Sequence, residues 1–179
     1  MDGMDDLAVH GLWPAYSTAK ASGKTYPQFC AKTHEKLNSG RERHEWQKHG
    51  TCTPLKVGDY FDFERVLEEN EAISRVRDLL NDSAGESANI TDVYDEIGGN
   101  KKVAIMTNKF CQLQEITTCW EKLPDGRVGE LIECPNHVLG SSRNSAVLQG
   151  CRQIALDQSE SKCAFISKEL LNAMKFDSK

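Results

Sequence analysis

Residues 44–52, HEWQKHGTC, concentrate side chains that transfer protons or bind anions. Within six positions they supply His44, Glu45, Lys48 and His49. On a helix, residues four positions apart share a face, so His44 lies beside Lys48 and Glu45 beside His49. Two histidines suit general acid–base catalysis near neutral pH, and an adjacent lysine suits the stabilisation of negative charge in a transition state. The pattern predicts a catalytic patch of base, acid and cation.

Two other interpretations fit the same segment. A zinc site of the HExxH type needs histidines four positions apart, whereas His44 and His49 are five apart, so metal binding is the weaker interpretation. A solvated helix face is the interpretation that composition alone favours. Trp46 is predicted to be a core aromatic residue. His34 and His137 have no comparable neighbours and are predicted to be surface histidines.

A second proton carrier is present in HGLWP at residues 10–14. His10 supplies an imidazole, and Trp13, three residues further on, supplies a flat ring that can stack on another ring. An acid–base reaction needs proton carriers on two sides of its substrate. We therefore expect His10 to lie at the end of a strand, close to the helix that holds His49.

The elements that must position these groups can be predicted from local patterns. LAVHGLW predicts a strand, residues 41–49 predict a helix, and Gly50 is a plausible helix stop. Residues 15–29 predict a loop. Apolar spacing over 60–82 predicts one amphipathic helix.

The second half of the chain mixes helices and strands. TDVYDEIG predicts a short helix capped by Thr91 or Asp92, and the segments that follow residue 103 predict strands around a turn at 124–127. Residues 164–176 predict a final helix. The mixed order indicates a single α+β domain, with an antiparallel sheet and packed helices.

Charge and cysteine content restrict the class of protein. A formal net charge of −5 argues against a basic protein that coats nucleic acid, although a locally positive site can still bind an anion. No apolar run is long enough to span a bilayer. The chain has seven cysteines without a CxxC pair, which favours disulfides over zinc. Cys119 and Cys134 are symmetric about the predicted turn, so paired strands would bring them together.

Two further features bear on the secretory route. Asn81-Asp82-Ser83 and Asn89-Ile90-Thr91 match the glycosylation sequon. Residues 1–14 lack the basic start and apolar stretch of a signal peptide, so a secreted form is expected to be a mature or truncated chain.

The segments HGLWP and HEWQKHGTC, in this order, resemble the paired active-site segments of the ribonuclease T-two family, and YPQFC at 26–30 adds to the resemblance. The family consists of secreted or vacuolar acid ribonucleases with little base specificity. The resemblance implies that His10 and His49 transfer protons, with His49 preferred as base and His10 as acid. It implies that His44 holds the phosphate and that Glu45 and Lys48 stabilise the phosphorane.

The same resemblance implies substrate contacts and disulfides. Trp13 and Tyr26 would stack on bases. Three bridges would form, Cys30–Cys52, Cys111–Cys151 and Cys119–Cys134, which leaves Cys163 over. The sequence also departs from the family. We expect domain 1–179 to lack an extra strand that usually precedes HGLWP, and the interval between His10 and His49 is short.

The resemblance implies an endoribonuclease that cuts single-stranded RNA without a cofactor or metal and leaves 2′,3′-cyclic phosphate ends. We expect a monomer that binds RNA but no membrane, located outside the cell or in the lysosomal or vacuolar lumen. One rival is an RNA-binding or signalling protein on the same fold. A second rival is a metal-dependent hydrolase, which EDTA would inactivate.

Overall fold

The computed structural model describes residues 8–16, 26–37, 39–83, 85–156 and 165–172. Helices and strands alternate irregularly over these ranges. In chain order they are β1 Ala8–Tyr16, α1 Gly40–Lys48, α2 Val57–Glu68, α3 Glu71–Asp82, β2 Ser87–Asn89, α4 Ile90–Ile97, β3 Val103–Thr107, β4 Leu113–Lys122, β5 Val128–Ile132, α5 Asn136–Leu139, α6 Ser145–Leu148, β6 Gln153–Ala155 and β7 Phe165–Asn172. Short 3-10 turns, Gly50–Cys52 and Ser142–Asn144, follow α1 and α5.

The main sheet has five strands in the order β1-β7-β4-β3, and β5 also pairs with β4. The first half of β4 is antiparallel to β3 and its second half is antiparallel to β5. β7 runs parallel to both β1 and β4, which makes the sheet mixed. β2 and β6 form a separate antiparallel pair. The α+β class is confirmed, and the expected antiparallel pairing is found for β3, β4 and β5.

The predicted helix over residues 164–176 is wrong where the structure describes it, because residues 165–172 form β7. The segment FISKELLN has too short an apolar pattern for periodicity to separate helix from strand. Backbone pairing with β1 on one side and β4 on the other decides in favour of the strand. Residues 164 and 173–176 lie outside the described ranges.

The single helix predicted over 60–82 is two helices, α2 and α3. Asn70 ends the first by acting as the N-cap of the second, where its side-chain oxygen accepts hydrogen bonds from the backbone N–H groups of Ala72 and Ile73. Asparagine is among the best N-cap residues, so it starts a new helix inside an apolar pattern that looks continuous.

The N-cap of the helix predicted over TDVYDEIG also differs from expectation. Asn89, rather than Thr91 or Asp92, caps α4, because the Asn89 side chain accepts the Thr91 N–H.

Buried side chains pack against both faces of the sheet. The larger cluster joins α1, α2, α3 and α4 to β1, β3 and β4 through buried apolar side chains such as Tyr60, Ile105 and Ile116. A smaller cluster contains Ala104 and Cys119, which alternate with residues of the first cluster along their strands. No helix in the described ranges is long and apolar enough to cross a membrane.

The three expected disulfides are present. Their Cα–Cα distances are 5.0 Å for Cys30–Cys52, 5.8 Å for Cys111–Cys151 and 5.2 Å for Cys119–Cys134. Cys119 lies opposite Ile132 in the β4–β5 pairing, so Cys134 reaches it from two residues beyond the paired position. Cys163 is outside the described residues.

Candidate active site

His10 occupies a bulge in β1. Val9 pairs with Ile166 and Gly11 with Ser167, so His10 is the extra residue in the β1–β7 pairing. Bulges re-aim side chains and are frequent beside active sites. The His10 side chain is 35% exposed, which leaves its ring accessible to a substrate.

The residues after His10 join β1 to the helix α1. The Trp13 indole Nε1–H donates a 2.7 Å hydrogen bond to Oε2 of Glu45, and both residues are buried. A Cβ at Gly11 would overlap the Glu45 carboxylate and lie 2.7 Å from Trp13 Nε1, so glycine is required for this close approach. The other Glu45 oxygen, Oε1, lies 3.9 Å from His10 Nε2. The expected approach of His10 to α1 is confirmed.

Helix α1 is fixed at both ends. Ser39 and Glu42 form a capping box at its start. Trp46 packs edge-on against Tyr60 and donates its indole N–H to Thr33 Oγ1. A Cβ at Gly50, the first residue after the cap, would overlap the Trp46 ring. The prediction of Trp46 as a core aromatic is confirmed.

Helix α2 is tied to β1 close to the histidine. The Tyr60 hydroxyl donates a 2.5 Å hydrogen bond to the carbonyl oxygen of Leu12, two residues after His10. Tyr60 is fully buried, so this bond is protected from water.

His49 terminates α1 as its C-cap, and its backbone N–H still bonds the Glu45 carbonyl oxygen at 2.9 Å. Its side chain is enclosed, with the residue 1% exposed. The ring stacks on Trp13 with a centroid distance of 4.9 Å and lies 5.6 Å from the Tyr26 ring. Neither ring nitrogen has a hydrogen-bond partner among the described residues. Such an unpaired buried group requires an explanation, and proton transfer is one.

Burial and nearby positive charge act together on His49. Burial, followed by the charges of Lys48, His44, Arg143 and His10, lowers its pKa from 6.5 to about 3. The ring is therefore neutral at mildly acidic pH. His44 is exposed and Lys48 half-buried, and both lie close enough to act electrostatically on His49.

Tyr26 reaches the site through the loop that precedes α1. The Cys30–Cys52 bridge ties this loop to the 3-10 turn after the helix. The Phe29 N–H also donates to the Lys48 carbonyl oxygen at 3.0 Å. The structure thus brings Tyr26 to the stacked Trp13 and His49 rings.

Two residues of the site were missed by sequence reasoning. Glu115 on β4 places its Oε2 3.3 Å from His10 Nδ1. The Arg143 guanidinium lies 4.7 Å from the centre of the Trp13 ring and 5.5 Å from that of Tyr26. For Glu115 a sequence signal exists, because strand alternation places it on the same face as the buried Cys119. For Arg143 we find none.

The remaining histidines lie apart from these contacts. His34 is exposed, as predicted. His137 on α5 is partly buried with its Nε2 enclosed, so its prediction as a surface histidine was wrong. The described residues contain no group of three or more side chains that could hold a metal ion.

Two ribonucleases are similar in sequence to this chain. The ribonuclease of Aeromonas hydrophila is 37% identical over 67 residues, which cover 30% of this chain and 27% of that protein. Ribonuclease S-2 of Pyrus pyrifolia is 24% identical over 161 residues, which cover 72% of this chain and 69% of that protein. The chain thus spans only about a quarter of the Aeromonas protein. No protein-family model and no solved structure matches it.

Proposed function

We propose that this protein is an endoribonuclease of the ribonuclease T-two type. One observation carries the proposal. His10 from β1 and His49 from α1 both lie against the ring of Trp13, at centroid distances of 5.0 and 4.9 Å, and Glu45 binds that same Trp13. Two proton carriers from separate elements therefore converge beside a buried carboxylate. The similarity to two ribonucleases supports RNA cleavage in general.

In the proposed reaction, His49 takes the proton from the ribose 2′-hydroxyl while the 2′-oxygen attacks phosphorus. The bond from phosphorus to the 5′-oxygen breaks, and His10 gives its proton to that oxygen. The products are a 2′,3′-cyclic phosphate and a 5′-hydroxyl. A general base must be unprotonated to act. The low pKa of His49, about 3, and its unpaired nitrogens support this assignment of roles.

The other residues would act on the phosphate and the bases. His44 would hold the phosphate, and Glu45 and Lys48 would stabilise charge in the crowded phosphorane. Tyr26 would stack on a base, and Trp13, which is 7% exposed, would offer only its edge unless its neighbours move. Stacking tolerates any base, so we expect little base specificity.

The proposed partner is RNA alone, with no metal, no membrane and a monomeric protein over domain 1–179. Three disulfides fit an oxidising compartment, so we propose secretion or a lysosomal or vacuolar location.

The second candidate is an RNA-binding protein without catalysis. The burial of His49 favours it, because a substrate must reach a ring that is 1% exposed.

Cleavage of a mixed-sequence RNA by the oxidised chain, with EDTA present, tests these alternatives. We expect cutting at mildly acidic pH with cyclic phosphate ends. His49→Ala should lower kcat by about 10²- to 10⁴-fold, because it removes a general base. His34→Ala is the matched control, since His34 is exposed and lies apart from the contacts of the site.

Three results would count against the proposal. Near-normal turnover by His49→Ala contradicts the role of this histidine. Cutting that occurs only when EDTA is left out indicates a metal-dependent hydrolase. RNA binding without any cutting indicates the second candidate.

A further inference from the structure

We propose that Glu115 is a positioning residue for His10, whose carboxylate accepts the Nδ1–H of the imidazole and so directs Nε2 toward the reacting groups. The inference rests on the proposed function and adds to it a residue that none of the active-site motifs contains. It starts from one contact, 3.3 Å between Glu115 Oε2 and His10 Nδ1.

The burial of Glu115 supports a stabilising role for its contact with His10. The residue is 7% exposed, and a buried carboxylate costs free energy unless it is paired. Glu45 and Glu115 are the buried acidic residues among the side chains that the structure describes. Both lie against His10, one near each ring nitrogen. Both buried carboxylates of the described residues thus lie beside the same histidine.

A third group fixes the Glu115 carboxylate. The Thr117 hydroxyl donates to Glu115 Oε1 at 3.1 Å, and Thr117 is fully buried on the same strand. One carboxylate oxygen is therefore held by Thr117 and the other faces His10. The chain from Thr117 through Glu115 to His10 resists rotation of the imidazole.

The bulge explains why such support is needed. His10 is the extra residue in β1, so it stands outside the regular register of its neighbours with β7. An imidazole has two distinct nitrogens, and the hydrogen bond that one of them makes decides whether the other is protonated in the neutral ring. In the protonated His10 ring, Nδ1–H is bonded to Glu115, so the proton that can be transferred is the one on Nε2. This nitrogen lies 3.9 Å from Glu45 Oε1.

The test compares Glu115→Ala and Glu115→Gln with Glu130→Ala, in which an exposed glutamate of the neighbouring strand β5 is changed. We expect kcat for RNA cleavage to fall about 10- to 100-fold in Glu115→Ala, the range found for partners that orient metal-binding histidines. KM should change less than about twofold, because substrate contacts remain. Glu115→Gln, which keeps an acceptor oxygen, should recover part of the loss. Glu130→Ala should match the unaltered protein.

NMR of the ring nitrogens supplies a readout that does not depend on cleavage. At a pH at which the His10 ring is neutral, the unaltered protein should carry its proton on Nδ1, and Glu115→Ala should shift it toward Nε2. If Glu115→Ala does not fold, Glu115→Gln and Thr117→Val carry the same comparison.

The outcomes separate this inference from the proposed function. Cleavage by the unaltered protein with unchanged kcat in a folded Glu115→Ala overturns the inference and leaves the function standing. No cleavage by the unaltered protein overturns the function, and the His10 proton position then decides the inference: a shift in Glu115→Ala supports it, and no shift overturns it.

Discussion

At the scale of single residues, the candidate site contains one histidine that is kept neutral at mildly acidic pH. His49 lies in a buried position among cations, and both effects disfavour its protonated form. A ring with a pKa of about 3 is unprotonated at mildly acidic pH, where an exposed histidine is largely protonated. The surrounding positive charges therefore keep the ring unprotonated, as the proposed general base must be, to lower pH.

Arg143→Gln tests this electrostatic role. Removal of the guanidinium should raise the pKa of His49, because one of the positive charges that oppose its protonation is lost. A general base works only when unprotonated, so the acid side of the rate–pH profile should move to higher pH. An NMR titration of the His49 ring measures the same change directly. Arg75→Gln, at an exposed ion pair on α3, is the control, and an unmoved or lower pKa in Arg143→Gln would contradict the prediction.

The motif residues of the site were predictable from sequence because they lie within two short segments. Spacing on one helix placed Glu45 and His49 near each other, and the order of the motifs placed His10 close by. Glu115 was not predictable as a partner, because 105 residues separate it from His10. Among the described strands, it is the pairing of β7 with both β1 and β4 that brings the strands of His10 and Glu115 into one sheet.

At the scale of elements, the site is held where β1 meets α1. The contact is narrow, because the Trp13–Glu45 hydrogen bond passes directly over the backbone of Gly11. The helix then carries His49 at its C-terminal end and the strand carries His10 at its bulge. The relative position of the two histidines is therefore set by this crossing.

Gly11→Ala should disturb the crossing. Its Cβ would displace Glu45 and break a buried hydrogen bond to a charged group, at a cost of about 1.5–3 kcal/mol in the free energy of unfolding. RNA cleavage should fall with it. Gly58→Ala is the control, because nothing lies within 4 Å of a Cβ at that position of α2. Urea unfolding and cleavage rates measure both effects, and Gly11→Ala with normal stability and activity would refute the role of the crossing.

Element prediction succeeded where local signals were strong and failed where distant contacts decide. The strand over LAVHGLW and the helix over residues 41–49, with Gly50 as its stop, follow from local sequence alone. The segment 165–172 depends on two strands that are remote in sequence, and its own pattern did not reveal them.

At the scale of the whole molecule, the neutral His49 links folding to pH. Its pKa is lower in the folded state than the 6.5 of a free histidine, so the unfolded chain binds the proton first as pH falls. The stability contributed by the neutral ring is complete above about pH 6.5 and is lost progressively as pH falls toward about 3. Lowering the pH toward the acidic range proposed for activity therefore lowers the free energy of unfolding.

His49→Phe tests this linkage. It keeps an aromatic ring against Trp13 but cannot take up a proton. Relative to this variant, the unaltered protein should lose stability below about pH 6.5 with a slope that approaches 1.4 kcal/mol per pH unit. Urea unfolding at a series of pH values measures the difference, and His34→Ala serves as the control. A difference that does not vary with pH would show that His49 titrates alike in both states.

The position of β7 has a consequence for the order of synthesis. This strand lies between β1 and β4 in space but follows both in the chain. The segments with His10 and Glu115 are therefore synthesised before residues 165–172, and until then the described sheet lacks the strand that joins β1 to β4. A nascent chain thus carries His10 and Glu115 without the strand that joins β1 to β4. For a protein proposed to cut RNA, this order delays completion of the proposed site until β7 has been synthesised.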